Sequence, residues 1–272
     1  TVFTGETDPQ LVKEAMPFAL KLYETLLEQA PDNENLLLAT AGAFSMYAYA
    51  FVQMDAEKLP DEEIERKTAL LKRAKDLYLR GRGYSLKALE LRHEGFTNAL
   101  KKDDISSCLK KMEKEDIPFL YWTGLSWMGA FSVDPFDMDL SITKTKAVDM
   151  LTRCLQLDET YDKGGLHAFF ISFYGNMPPD LGGSEEKARK HFQRALELSH
   201  GQNASIYISL ATSVSVKDQN EQEFEELLNK ALEINVDNNP SIRLSNILAQ
   251  DKARWLLEHK DNYFIGKGEN EE

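Results

Sequence analysis

The sequence predicts an all-α fold, built as a superhelical stack of helical hairpins. Three observations lead to this prediction. Gly and Pro are scarce, at 15 and 9 of 272 residues, whereas a strand-rich fold needs many turns. Long uncharged segments alternate with charged ones along the chain. The charged segments also share one spacing of small and large side chains, and such self-similarity is typical of repeat architectures.

Composition excludes several classes of protein. The chain is 42% hydrophobic and 28% charged, which is ordinary for a globular protein. Its 32 basic and 45 acidic residues give a net charge of -13, so it lacks the basic surface that nucleic-acid binding requires. The only cysteines are Cys108 and Cys154, too few for a disulfide framework or a cysteine zinc site. We therefore predict one globular domain over residues 1–272.

Each uncharged segment precedes a charged one. A helix without charges is typical of a position enclosed by its neighbours, and a charged amphipathic helix keeps one face in solvent. Four such successions predict four stacked hairpins. The uncharged segments are residues 36–52, 117–133, 164–179 and 201–216, and the charged ones are 61–80, 144–158, 184–199 and 218–233.

The charged segments share the pattern small-x3-large-x2-small, which is clearest at Ala188, Phe192 and Ala195. Small residues let two helices approach closely while the large residue fills the groove between them. The pattern is typical of the second helix of a tetratricopeptide repeat, but the copies depart from its regular period of about 34 residues, so we predict divergent repeats. The other copies are Ala147, Leu151 and Cys154; Phe224, Leu228 and Ala231, with a bulky residue in place of the first small one; Ala19, Tyr23 and Leu26; and Ala74, Tyr78 and Gly81, a degenerate copy.

These patterns give approximate element boundaries. The second helices are predicted near residues 13–30, 65–90, 144–158, 184–199 and 218–234. A capping helix is predicted near 241–259, since the last repeat of a solenoid must end the open core with a polar outer face. Residues 260–272 form a polar tail that we expect to fray.

The sequence also resembles a known family, the T component of TPR-protein-associated TRAP transporters. The likeness extends over almost the whole chain, and it depends on the order and spacing of several segments rather than on a catalytic signature. The segments are TDPQLVKEAMPFALKLYETLLEQAP (7–31), YAYAFVQ (47–53), RAKDLYLRGRGYSLKALELRHEGF (73–96), LYWTGLSWMGAF (120–131), GGLHAFFISFYGNMPPDLGG (164–183), KARKHFQRALELSHGQNAS (187–205) and IRLSNILAQDKARWLLE (242–258).

The resemblance implies a bacterial periplasmic lipoprotein, anchored to a membrane through a lipidated cysteine upstream of Thr1. It implies a homotrimer whose subunits bind the periplasmic substrate-binding P component of a TRAP transporter. It also implies an apolar small ligand held in a groove or pore. No cofactor and no enzymatic activity are expected from it.

Aromatic residues on the uncharged segments are the candidate ligand-binding residues. An uncharged lining favours an apolar or neutral ligand, because a buried charge needs a partner and an apolar pocket does not. The alternative is a purely structural role, in which the same residues fill the core between hairpins and His167 is a hydrogen-bonded core histidine. The candidates are Tyr47, Tyr121, Trp122, Trp127, Phe131, His167, Phe170 and Tyr174.

Three other sequence features give weaker indications of function. Asp134, Asp137 and Asp139 lack the spacing of an EF-hand loop, so a solvated loop is the better interpretation. The turn-rich insertion MPPDLGG at residues 177–183 fits loop geometry and a binding edge equally well. The uncharged stretch 36–52 is nearly long enough to span a membrane, but polar residues and the absence of a basic flank favour a buried helix.

Two functions remain open from sequence alone. The first is a transport-associated lipoprotein that binds or conducts an apolar ligand and docks a periplasmic partner. The second is an interaction scaffold whose groove binds a peptide or helix, without a small ligand. An enzyme is disfavoured, since the sequence has no HExxH pair and no GxSxG elbow.

Overall fold

Helices make up almost all of the structure, a computed structural model that describes residues 2–265. About 80% of the chain is helical and no strand occurs within the described residues. The all-α class predicted from the sequence is therefore confirmed. The chain divides into two compact units: an N-terminal unit, Gln10–Asp158, and a C-terminal unit, formed by residues 2–9 together with 159–265.

Between residues 2 and 158, the structure describes eight α-helices. Several begin at a side-chain cap: Asn33 accepts a hydrogen bond from the backbone N–H of Leu36, and Asp137 accepts one from that of Leu140, both at 3.0 Å. The helices are α1 (Pro9–Gln29), α2 (Glu34–Tyr47), α3 (Met54–Glu57), α4 (Ile64–Arg92), α5 (Phe96–Lys101), α6 (Ile105–Leu109), α7 (Ile117–Val133) and α8 (Met138–Leu157).

In the N-terminal unit, α4 packs against both α2 and α7, and α7 packs against α8. Close helix approach requires Gly81, where an added Cβ would lie 2.7 Å from Ser45 Oγ. It also requires Gly129, where a Cβ would lie 2.5 Å from the Tyr78 ring. A buried hydrogen bond of 2.6 Å joins Ser45 to Ser126, and thus α2 to α7. Because larger side chains would hold these helices apart, their close packing explains why the uncharged helices carry so many Gly, Ala and Ser.

The C-terminal unit has its own hydrophobic core, which lies between two helix pairs and a final helix. Ser184 caps the start of one helix by accepting from the backbone N–H of Lys187 at 3.3 Å, and Asn220 caps another by accepting from that of Glu223 at 3.1 Å. The helices are α9 (Gly165–Asn176), α10 (Glu185–Ser199), α11 (Ala204–Leu210), α12 (Glu221–Leu232) and α13 (Arg243–Glu258).

The last helix, α13, closes this core through two buried amides. Asn246 accepts from the backbone N–H of Ala204 at 2.9 Å, which caps α11, and Gln250 donates to the carbonyls of Ala231 and Ile234 at 3.1 and 2.8 Å. These bonds satisfy backbone groups at helix ends that would otherwise be buried without partners. Residues 2–8 lie against the same helix, since the carbonyl of Thr4 accepts from the backbone N–H of Leu244 at 3.0 Å.

The small-large-small residues are buried in four of the five predicted copies, those in α4, α8, α10 and α12. The copy in α1 is an exception. Leu26 is 45% exposed there, and the residues that α1 buries include Leu20 and Leu27 instead. The predicted register in α1 is therefore wrong: its last position is the large residue Leu26 rather than a small one, and the neighbouring Leu27 is buried instead.

The first residues of the predicted polar tail differ from the expectation of fraying. Lys260 pairs with Glu221 and Glu225 at 2.7 and 2.5 Å. The rings of Tyr263 and Phe264 lie 6.1 and 5.1 Å from that of Phe224. Aromatic residues inside the polar segment hold residues 260–265 on α12, whereas residues 266–272 lie outside the described part of the chain.

The insertion at residues 177–183 is a tight turn. Gly182 adopts a φ of 95°, which favours glycine, and a Cβ on Gly183 would lie 1.7 Å from the carbonyl oxygen of Met177. Both glycines are therefore required by loop geometry.

One helical stretch among the described residues, Glu34–Glu57, is long and apolar enough to cross a membrane by those two measures alone. Yet 61% of its most apolar window is buried inside the protein. A core helix passes the same test of length and composition, so this stretch is only weak support for a membrane span.

Candidate functional site

The candidate aromatic residues fall into two groups, one in each unit. In the N-terminal unit, Trp122 of α7 lies against α2, where a Cβ on Gly42 would be only 3.1 Å from the indole. Its ring makes an edge contact of 5.3 Å with Tyr121. Trp122 is half-buried and Tyr121 is buried. Trp122 thus presents an aromatic surface on a helix that has no charged residue.

Trp127 and Phe131 pack in other directions. The indole N–H of Trp127 donates to Thr143 Oγ1 of α8 at 3.2 Å, and the guanidinium of Arg82 lies 4.5 Å from its ring centroid. The ammonium of Lys144 lies 4.5 Å from the Phe131 centroid. Both rings are less than 10% exposed. A cation on the ring face stabilises such a side chain by ~0.5–1 kcal/mol, so packing accounts for both residues.

Tyr47 is also a packing residue. Its ring lies 5.9 Å from Phe51, and its hydroxyl accepts a hydrogen bond of 3.4 Å from Arg73 of α4. Just beyond it, residues 48–53 form a π-helical segment, as do residues 211–215 after α11. Both segments follow a largely uncharged α-helix, and π-helical turns occur frequently at functional sites. Met46 and Tyr49, unlike Tyr47, have exposed side chains in this region.

The C-terminal unit brings its three candidates together. The rings of Phe170 and Tyr174 lie 5.8 Å apart and nearly parallel. His191 of α10 stacks with both, at 5.1 Å from Phe170 and 5.5 Å from Tyr174. His167 reaches the same group, with Nδ1 2.9 Å from His191 Nδ1. Four residues from two helices thus form one aromatic cluster, which we call the histidine cluster.

Charge is disfavoured inside the histidine cluster. Two Nδ1 atoms at hydrogen-bond distance require that one donates and the other accepts, so the two rings cannot both be protonated there. Burial, the neighbouring His167 and Lys187 lower the pKa of His191 to about 4. Burial likewise lowers the pKa of His167, although Glu159 opposes this shift. Both rings are therefore neutral at pH 7, which keeps the cluster apolar in character.

Sequence reasoning missed four residues that surround the candidates in the two units. His191 lies on a charged helix, so only the hairpin geometry brings it to Phe170. Phe169 and Phe173 stack at 5.9 Å, are half-buried and lie one turn apart on α9. Their helical spacing was a usable signal, since it matches that of Phe170 and Tyr174. Arg82 had no such signal.

Catalytic and metal chemistry find little support. Within residues 2–265, no group of three or more His, Cys, Asp or Glu side chains could hold a metal ion. Lys75 binds Asp134 and Asp137 at 2.8 and 2.5 Å, so two carboxylates of the acidic cluster serve an ion pair. Burial raises the pKa of the Cys154 thiol to about 12, which makes it a poor nucleophile.

A groove of about 420 Å³ lies between α1, α2 and α4. It contains none of the candidate residues. Glu24 on its wall binds Lys21 at 3.0 Å, accepts from the Tyr84 hydroxyl at 2.6 Å and pairs with Arg80. These four polar residues of the groove therefore pair with one another.

Comparison with known proteins gives the family. The family described as the TRAP transporter T-component matches residues 5–264. The chain belongs to this family. A protein of Treponema pallidum (strain Nichols), itself described as an uncharacterized protein, is 35% identical over 267 residues, which are 97% of this chain and 83% of that protein.

The family gives the general function. A TRAP transporter T-component is part of a transport system, and this is a transport-associated family rather than a known family of enzymes. Because the match runs from residue 5 to residue 264, it includes both units and both groups of aromatic residues.

Proposed function

We propose that this T component is a periplasmic lipoprotein that binds an apolar small ligand and docks the substrate-binding P component of its transporter. The family match over residues 5–264 is the observation that carries the proposal. The hairpins would form divergent tetratricopeptide-like repeats. Burial of the small-large-small residues in α4, α8, α10 and α12 supports this arrangement.

Support for an apolar ligand comes from the uncharged helices. Neither α7 nor α9 contains a Lys, Arg, Asp or Glu. Each nevertheless carries half-buried aromatic rings, namely Trp122 on α7 and Phe169 and Phe173 on α9. Aromatic surface that is neither fully buried nor charged suits a ligand without charge. In this proposal Trp122 contacts the ligand and Trp127 supports the fold.

Support for self-association comes from α1. This helix buries one apolar face, and large apolar side chains also follow its opposite side at helical spacing. A contiguous exposed apolar stripe of this kind is typical of a protein interaction surface. We propose that it contributes to a homotrimer. The exposed side chains are Leu11, Phe18, Leu22 and Leu26.

The apolar ligand is tested with the neutral fluorescent probe N-phenyl-1-naphthylamine. We expect the wild-type protein to bind the probe and Trp122→Ala to weaken binding about tenfold, since Trp122 offers ring surface that Ala lacks. Trp127→Phe is the control, because it keeps a buried ring under Arg82. Wild-type protein that binds no probe would contradict the proposal and favour a scaffold that binds a peptide or helix.

Sedimentation of the same variants separates ligand binding from assembly. Trp122→Ala should leave the oligomeric state unchanged, since Trp122 packs within its own unit. Equal loss of probe binding and of assembly would instead indicate a damaged fold.

A further inference from the structure

Three large apolar side chains are exposed together where α7 turns into α8. Phe136 is 91% exposed, Met138 71% and Ile142 68%. Met138 and Ile142 lie one turn apart on α8, so they share a face. We call these three residues the turn patch. A solvent-exposed cluster of large apolar side chains is typical of a protein interaction surface.

The backbone that carries Phe136 is held in place by ion pairs and by a helix cap. Lys75 of α4 binds Asp134 and Asp137, the residues two before and one after Phe136. Asp137 also caps α8 by accepting from the backbone N–H of Leu140 at 3.0 Å. The backbone on both sides of Phe136 is thus fixed to two helices. Such preorganisation lowers the entropic cost of binding a partner.

Phe136, which precedes the cap of α8, has no apolar residue opposite it at the position of α8 where one would be expected. An apolar residue just before a helix cap commonly packs on the fourth residue of that helix. In α8 that fourth residue is Ser141, which offers no apolar surface. The 91% exposure of Phe136 follows from this. The ring therefore remains free to enter a pocket on another molecule.

The surroundings of the turn patch are negative. Lys75 binds both Asp134 and Asp137, and the Arg82 guanidinium also interacts electrostatically with Asp137, so these two carboxylates are balanced by two cations. Asp139, exposed between Met138 and Ile142, leaves one negative charge in excess beside the patch. A complementary partner surface therefore carries an apolar pocket with Lys or Arg at its rim.

We propose that the turn patch is the docking surface for a protein partner of that chemistry, with Phe136 as the anchor. The inference rests on the proposed function for the identity of the partner, the substrate-binding P component. It adds which surface of this chain makes the contact. Buried aromatic anchors at the centre of an interface commonly dominate its affinity.

The test measures binding of the full chain to immobilised P component. We expect Phe136→Ala to weaken binding at least about tenfold, as for an aromatic hot spot. Ile64→Ala is the matched control: Ile64 is 66% exposed in the same unit, outside the turn patch, and should bind like wild type. Asp139→Lys should slow association, and more so at low salt. Phe136 and Ile64 are exposed, so their alanine variants should leave thermal unfolding unchanged, whereas Asp139→Lys places a cation in the first turn of α8 and should lower stability slightly.

The outcomes separate this inference from the function on which it rests. Wild-type binding that Phe136→Ala leaves intact would overturn the docking surface and leave the proposed function standing. No binding by the wild-type protein would overturn both. Loss of self-association in Phe136→Ala, with P-component binding retained, would assign the turn patch to a second copy of this chain and overturn the inference.

Discussion

The two units hold their aromatic residues in different ways. In the N-terminal unit, several rings are covered by a cation, as Trp127 is by Arg82 and Phe131 by Lys144, and the ring–ring contacts described there, such as Tyr121–Trp122, involve two rings each. In the C-terminal unit, the rings of Phe170, Tyr174 and His191 all stack on one another. The first arrangement consists of separate contacts, and the second is one connected cluster.

This difference predicts how each unit responds to change. A ring that contacts one cation can be altered with local consequences, since independent sites contribute additively. A ring within a cluster shares its neighbours, so its loss affects every other member. The two units should also respond differently to acid. The histidine cluster contains two neutral histidines that acid can protonate, and the cation-covered rings of the N-terminal unit include no histidine.

The largest effect is expected from removing the central ring of the cluster. Phe170 is 1% exposed and contacts four other rings, so Phe170→Ala should cost about 4 kcal/mol. Phe131→Ala, at 8% exposure, should cost about 3 kcal/mol because its site is closer to solvent. Hydrogen exchange should show lost protection throughout α9 and α10 in the first variant. Equal and local loss in both variants would contradict the comparison.

Acid should weaken the C-terminal unit before the N-terminal unit. The folded-state pKa of His191 is about 4 and that of His167 is also below 6.5, so the unfolded chain binds protons that the cluster excludes. Stability from these residues is present above pH 6.5 and is lost as the pH falls towards 4. Glu159 and Arg194 near His167, and Lys187 near His191, modulate this loss.

In the N-terminal unit, the group we compare with the two histidines is Asp116, a buried carboxylate whose pKa is also shifted in the folded state. Burial opposes its ionisation, but hydrogen bonds from the Glu113 backbone, His93 and Arg92 lower its pKa below 3.8. Its contribution is therefore lost only below that pH. Hydrogen exchange of α10 and α4 peptides between pH 7 and 4 measures the contrast. His191→Gln should flatten the α10 profile, whereas His259→Gln, at an exposed site, should not.

The smallest effect is expected from a covering cation. Arg82→Met keeps the methylene contact with Trp127 but removes the guanidinium, which should cost ~0.5–1 kcal/mol. Burial lowers the pKa of Arg82, which offsets part of its benefit to stability. The indole emission of Trp127 should shift, while Lys144→Met, over Phe131, should leave emission unchanged. A loss above about 2 kcal/mol would indicate a larger structural role than one cation–π contact.

Sequence periodicity predicted much of the fold, since charge-free and charged segments alternate at the scale of helices. It also placed His167, Phe170 and Tyr174 on one face, because residues three and four apart meet on a helix. It could not find His191, which reaches Phe170 from another helix across 21 residues. Nor could it separate Trp122 from Trp127, because that distinction depends on which neighbouring helices each ring meets.

The π-helical segments were equally hidden. Residues 48–53 and 211–215 have the composition of ordinary helix, and no residue in them signals the wider turn. The register of α1 failed for a related reason. Its Leu residues lie on two opposite faces, one buried and one exposed, and a pattern of residue sizes cannot rank those faces.

Sedimentation of the full chain, alone and with its P component, tests the central claim most directly. The account predicts a homotrimer that gains up to one P component per subunit. A monomer whose sedimentation the P component leaves unchanged would contradict it, and the fold would then serve a function other than docking that partner.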